Sequence, residues 1–112
     1  MIFDKEGNIT TVFQENISLS TFIKNLNNGY KNIKGDHLII NLFSFSELGA
    51  NDLLEFLELS EKHRKVDKSF VLVSDKIDYE NVPEQITLAP TIKEAKDIID
   101  LEEIERDLDL FE

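Results

Sequence analysis

Two runs of the chain leave little freedom in how it folds: "HLIINL" at residues 37–42 and "SFVLVS" at residues 69–74. Each is short, almost unbroken in apolar side chains, and carries Ile or Val. A strand points successive side chains to opposite faces, so an unbroken apolar run needs cover on both. Such strands belong in the middle of a sheet. The stretch between them, residues 51–65, places Leu53, Leu54 and Leu57 at helical spacing. It ends on Lys62, His63, Arg64 and Lys65, cations that suit the negative end of a helix dipole. Strand, helix and strand in that order require a crossover, which is right-handed and makes the two strands parallel.

The flanks complete the sheet. "MIFDKEGNITTVFQE" reads as two short strands around Glu6-Gly7-Asn8, with Ile2 and then Ile9, Val12 and Phe13 as the apolar members. Gly7 and Asn8 supply the positive φ of a tight turn. From Ser18, a cap for the first free amides, Leu19, Phe22, Ile23, Leu26 and Tyr30 recur every three or four residues, which predicts a helix ending near Asn28-Gly29 or Gly35. Beyond the second central run come a polar loop over 75–83 with room for one helical turn at 78–81, and a strand "QITLA". Pro90 and a capping box, Thr91-x-x-Glu94, then open a last helix with Ile92, Ala95, Ile98 and Ile99 on one face. The fold class expected is α/β: a mixed sheet with an N-terminal antiparallel hairpin and helices mainly on one face. A chain of 112 residues buries roughly 65% of its unfolded surface, enough for one core. Residues 1–101 read as a single domain, and 102–112 as an acidic helix end or tail.

Charge restricts the partners. Twenty-three acidic residues against 12 basic ones give −11, a field that repels nucleic-acid phosphates and anionic lipid headgroups. The opening "MIFDKEGN" has neither a basic segment nor an apolar one of leader type, and no apolar run reaches membrane-spanning length. With no cysteine there is no disulfide, thiolate catalysis or Cys-ligated zinc, which fits a reducing compartment, so the expectation is a cytoplasmic protein. His37 and His63 lack His-x-His or His-x-x-x-His spacing, so a zinc site would need carboxylates for most of its ligands. His37 leads into a strand and His63 belongs to the cationic end of a helix; both read as structural. The chain carries no Gly-x-Gly-x-x-Gly, Walker or Gly-x-Ser-x-Gly pattern. No catalytic, metal or cofactor residue is assigned, and a non-enzyme is expected.

Two surfaces remain as candidates for binding. At about 100° per residue, Phe56 and Leu59 point away from the stripe of Leu53, Leu54 and Leu57, and either a neighbouring helix or a partner covers them. The acidic end, "KDIIDLEEIERDLDLFE", sets Asp97, Asp100, Glu102, Glu103, Glu105, Asp107, Asp109 and Glu112 against Lys96 and Arg106. Such crowding opposes the helix dipole and frays the last turn. The segment reads as a solubilising helix end, or as a recognition segment whose Ile104, Leu108, Leu110 and Phe111 dock into a basic groove.

The strand "LIINL", the loop "FSFSELGAN" and the helix "DLLEFLEL", in that order, resemble the STAS domain, the fold of bacterial anti-sigma-factor antagonists and of sulfate-transporter C-terminal domains. "FVLVS" and "ITLAPTIKEAKDII" resemble that family's later strands and closing helix, so the resemblance covers about residues 35–101, through order and spacing. In the family a strand ending in Asp-Leu is followed by Asp-Ser-x-Gly at a helix start, and a serine kinase that is also the anti-sigma factor phosphorylates the serine. Here Asn41-Leu42 ends the strand, and nine residues after Asn41 the serine position holds Ala50, preceded by Gly49 and followed by Asn51 and Asp52. Alanine accepts no phosphoryl group, so the charge switch is missing. Ser44 and Ser46 read as ordinary loop serines.

The resemblance implies a regulatory protein-interaction module, a monomer or weak homodimer. Its partner would be an anti-sigma factor or serine kinase, or another regulatory protein with a basic surface. Docking would fall on Phe45, Ser46, Gly49, Ala50, Asn51, Asp52, Phe56 and Leu59. A second reading has the helix-start amides near Asn51 and Asp52 cupping a small anion, which the Asp52 carboxylate opposes. The ending "SEKHRK…SFVLVSD…VP…APTIKEAKDIIDLEEIERDL" also looks like small proteins of Bacteroidetes-type bacteria that go by the name ribonuclease Z. The His-x-His-x-Asp-His metal centre of that enzyme does not occur in this sequence, so that resemblance implies an accessory protein of the nuclease.

Overall fold

Gly7, at φ +60°, closes β1 (Ile2–Glu6) onto β2 (Ile9–Phe13) in an antiparallel hairpin whose innermost pair is Glu6 and Ile9. Asn8 does not share the positive φ, so the turn needs its glycine at the first central position alone. The computed structural model describes residues 1–109. From β2 the chain passes through α1 (Leu19–Gly29) to β3 (His37–Asn41), and through α2 (Leu57–Arg64) to β4 (Phe70–Val73). A short β5 (Leu88–Ala89) and the long α3 (Ile92–Asp109) follow. The five strands lie in sequence order, and β2 through β5 are mutually parallel. No helix among the described residues is long and apolar enough to cross a membrane.

Strand alternation explains the layers. Leu38, Ile40, Phe70 and Leu72 face α1 and α2 in the larger core, whereas Ile39, Val71 and Val73 face α3, together with Ala95 and Ile99, in the smaller one. Both faces of β3 and β4 are thus covered, as their unbroken apolar runs require. Successive right-handed crossovers in one direction keep α1 and α2 on the same face. After β5 no strand remains to be added, so α3 folds back over the bare face.

Caps fall where the sequence places them. Ser18 Oγ accepts the Thr21 amide at 3.2 Å at the start of α1, and Thr91 Oγ1 accepts the Glu94 amide at 3.1 Å at the start of α3. A short 3₁₀ turn occupies Tyr79–Asn81 in the polar loop, and the expected strand "QITLA" shortens to Leu88–Ala89. α3 runs without a break through position 101/102, so up to Asp109 the acidic end is a helix lying on the domain; Leu110 and Phe111 fall outside the described residues.

The helix after the loop departs from expectation. Ala50–Phe56 is a 3₁₀ helix that becomes α-helical only at Leu57. With three residues per turn, every third side chain eclipses the one before. Leu53, Phe56 and Leu59 therefore share the inward face, all buried, and Leu54 is turned out and 47% exposed. The stripe of Leu53, Leu54 and Leu57 rests on a 3.6-residue period that this segment does not follow. Phe56 and Leu59 are accordingly core residues, with Phe56 edge-on to Phe22 of α1 at 6.4 Å, and neither is available to a partner.

His63 continues that inward face and is fully buried. Its Nε2–H donates to the Asp36 carbonyl at 2.8 Å, and its Nδ1 accepts the Tyr30 hydroxyl at 2.7 Å. The ring also meets Tyr30 and Phe70 edge-on. Burial holds its pKa down to about 4, from 6.5. It is neutral, so it adds no cation to the end of α2; its hydrogen bonds instead join α2 to the segment before β3.

Two outcomes follow from this packing. Phe56→Ala should cost about 3–5 kcal/mol in urea unfolding, as a buried ring lost from a core, while Leu54→Ala should stay within about 0.5 kcal/mol. Equal effects would contradict the 3₁₀ face. Because the pKa of His63 is lower folded than unfolded, its contribution is complete above pH 6.5 and is lost as pH falls towards 4, by about 3 kcal/mol in all. Burial lowers the pKa of His37 as well, and acts in the same direction. His63→Phe should flatten the fall in stability over that window, and an unchanged slope would show that His63 does not titrate there.

Candidate functional site

Parallel α/β sheets place their binding loops at the carboxyl ends of the strands. Here the segments after β2 and β3 meet at that end. Ser44 Oγ donates to the Gln14 carbonyl at 2.7 Å, fastening the loop after β3 to the segment after β2. Phe45 lies edge-on to Phe22 at 5.4 Å, and Leu48 is buried in the larger core. The loop is pinned from below by these two side chains, and Ser46, Glu47, Gly49 and Asn51 are exposed above them. Its backbone bends at Asn41, whose Oδ1 accepts the Phe43 amide at 3.0 Å.

Asp52 governs the helix start. Its Oδ2 accepts the Gly49 amide at 2.8 Å, half of a capping box, since glycine offers no side chain in return. Ala50 and Asp52 are half-buried at this first turn. Between the loop and the start of α1 is an open cavity of about 340 Å³ whose polar lining includes Ser18, Ser44, Ser46, Glu47 and Asp52. Of the eight expected site residues the fold gathers Phe45, Ser46, Gly49, Ala50, Asn51 and Asp52 in this loop and helix start, while Phe56 and Leu59 lie inside the core. The exposed apolar side chains near them are Phe43, in the loop, and Leu54, which the helical period assumed for residues 51–65 turns inward.

A cluster of titratable groups lies at the opposite end of the sheet. His37 is nearly buried; its Nδ1 accepts the Ser69 amide at 2.9 Å, so its Nε2 carries the proton and points it at Glu103 Oε1. Glu103 also accepts from Asn8 Nδ2 at 2.8 Å, across 95 positions of sequence. Arg106 donates to the buried Ser69 hydroxyl at 2.7 Å. Arg64 donates to Glu102 at 3.1 Å, to the Phe70 carbonyl at 3.2 Å and to Thr87 at 2.8 Å. Burial lowers the pKa of His37; Glu103 raises it, and Arg106 and Lys68 lower it further. The Ser69 hydroxyl is held by a guanidinium, and among the described residues no base hydrogen-bonds to it. The cluster is a clamp that seats α3 on the amino ends of β2, β3 and β4. Sequence spacing could not bring Asn8, His37 and Glu103 together, because their meeting depends on α3 crossing the second face.

Among the described residues no three His, Asp or Glu side chains converge so as to hold a metal ion. Compared with known proteins, the chain matches no family model and no curated sequence.

Proposed function

We propose that this chain is a non-enzymatic, STAS-like interaction module that docks a regulatory protein on the loop between β3 and the helix start at Ala50. The observation that carries the reading is the construction of that loop: Phe45 and Leu48 anchor it to the core, while Phe43, Ser46, Gly49, Asn51 and Leu54 form its outer rim. A loop braced from beneath keeps its shape at little entropic cost on binding, which favours docking. Ala50 stands where the resembling family has its phosphorylatable serine, so docking here is not gated by phosphorylation at that position. The class of partner the resemblance suggests is an anti-sigma factor or serine kinase. The net charge of −11 favours a basic face on the partner, which would be steered in by that field. The reading places the chain in the cytoplasm.

A small anion is the weaker reading. The Gly49 amide that would serve it is already taken by Asp52, and Glu47 and Asp52 line the same cavity. An accessory role beside a ribonuclease Z-type hydrolase would use the same rim, with no catalytic part for this chain.

Charges introduced on the rim separate the readings. In affinity capture from the native host, Ser46→Arg with Asn51→Arg, which sets like charge against a basic partner face, should weaken binding of the principal partner by about tenfold or more, with the fold unchanged by circular dichroism. Capture at the wild-type level would place the docking surface elsewhere. In a thermal-shift assay inorganic phosphate should leave the melting point unmoved, whereas a saturable rise would favour the anion reading.

A further inference from the structure

The last three turns of α3 carry a surface that the loop site does not use. α3 starts at the carboxyl end of β5 and runs back across the sheet, so its second half lies over the amino ends of the strands, where Glu103 meets His37 and Asn8. Ala95, Ile99, Glu103 and Arg106 face the sheet or its rim. At about 100° per residue the opposite side carries Leu101, Ile104 and Leu108. These three are 59%, 55% and 60% exposed. They follow the i, i+3, i+7 spacing of an apolar docking seam.

Acids border the seam on both sides. Asp100 and Asp107 flank one edge, Glu105 and Asp109 the other, and Asp97 extends its line; all are exposed. Within 97–109 the one cation is Arg106, and it is turned to the sheet edge to hold Ser69. A second copy of the chain would set these acids against their own kind, in a protein that already carries −11. A basic helix would neutralise them.

We infer that Leu101, Ile104 and Leu108 form a second docking surface, for an amphipathic helix of another protein whose apolar stripe is bordered by Lys and Arg. The surface goes beyond the loop reading and does not rest on it, since the two lie at opposite ends of the strands. The apolar seam sets register and the acidic borders select the partner's charge.

The test uses the full chain and a fluorescent synthetic helix of about 18 residues made of Leu and Lys, with Leu at three- and four-residue spacing. A control peptide has the same composition, permuted to break the stripe. The striped peptide should bind one to one and at least about tenfold more tightly than the control. Ile104→Ser with Leu108→Ser should remove that advantage while circular dichroism and melting temperature stay as in the wild type. Asp100→Asn with Glu105→Gln and Asp107→Asn should flatten the salt dependence. Ser46→Arg with Asn51→Arg, which disables the loop, should keep the preference for the striped peptide, so failure of one surface is distinguishable from failure of the other. Equal binding of both peptides, or an unaffected double-serine variant, would overturn the proposal. So would sedimentation as a dimer that the same variant dissolves, because the seam would then be covered by a second copy.

Discussion

The burial of β3 and β4 on both faces is the constraint from which the other features follow. Leu38, Ile40, Phe70 and Leu72 need α1 and α2, and Ile39, Val71 and Val73 need α3. Each fully buried aliphatic side chain contributes about 1.5–3 kcal/mol over leaving it in water. Covering one face only would leave Ile39, Val71 and Val73 exposed in the centre of the sheet. α3 must therefore cross back, and crossing back places its second half over the amino ends of the strands. The clamp of His37, Glu103, Asn8, Arg106 and Ser69 exists because the second half of that helix lies there.

The two buried histidines follow the same frame and are satisfied by it. His63 spends both ring nitrogens on Tyr30 and Asp36, and His37 spends its two on Ser69 and Glu103. A neutral imidazole with one donor and one acceptor suits such positions, because a protonated ring would lose its acceptor and gain a desolvated charge. Both histidines join elements that lie far apart in sequence. Their chemistry is used for construction.

Much of this architecture is legible in the sequence, for local reasons. The Gly7-Asn8 turn, the Ser18 and Thr91 caps and the two central strands are each announced by residues within a few positions of one another. The face of the helix after the loop is not, because the apolar pattern of Leu53, Leu54, Phe56, Leu57 and Leu59 is compatible with two periods. The 3₁₀ start that selects Leu53, Phe56 and Leu59 follows from how the segment sits against Phe22. The partners of His37 and His63 were out of reach as well, being set by topology. As for the candidate site, the sequence places the loop and its helix start, yet it puts Phe56 and Leu59 on a surface where the fold presents Phe43 and Leu54.

The molecule that emerges is a braced frame that carries the two proposed contact faces, one on the loop at the carboxyl ends and one on the outer side of α3. The frame should be the last part to open, and the outer segment of the loop should open independently of it. Native-state amide hydrogen exchange tests this directly. The amides of residues 38–40 and 71–73 should exchange only through global unfolding, at the free energy found from urea unfolding, while those of the exposed Ser46 and Glu47, between the anchors Phe45 and Leu48, exchange by small local openings. Exchange in β3 and β4 as fast as in the loop would contradict the account, since the strands could not then be the element on which both faces are mounted.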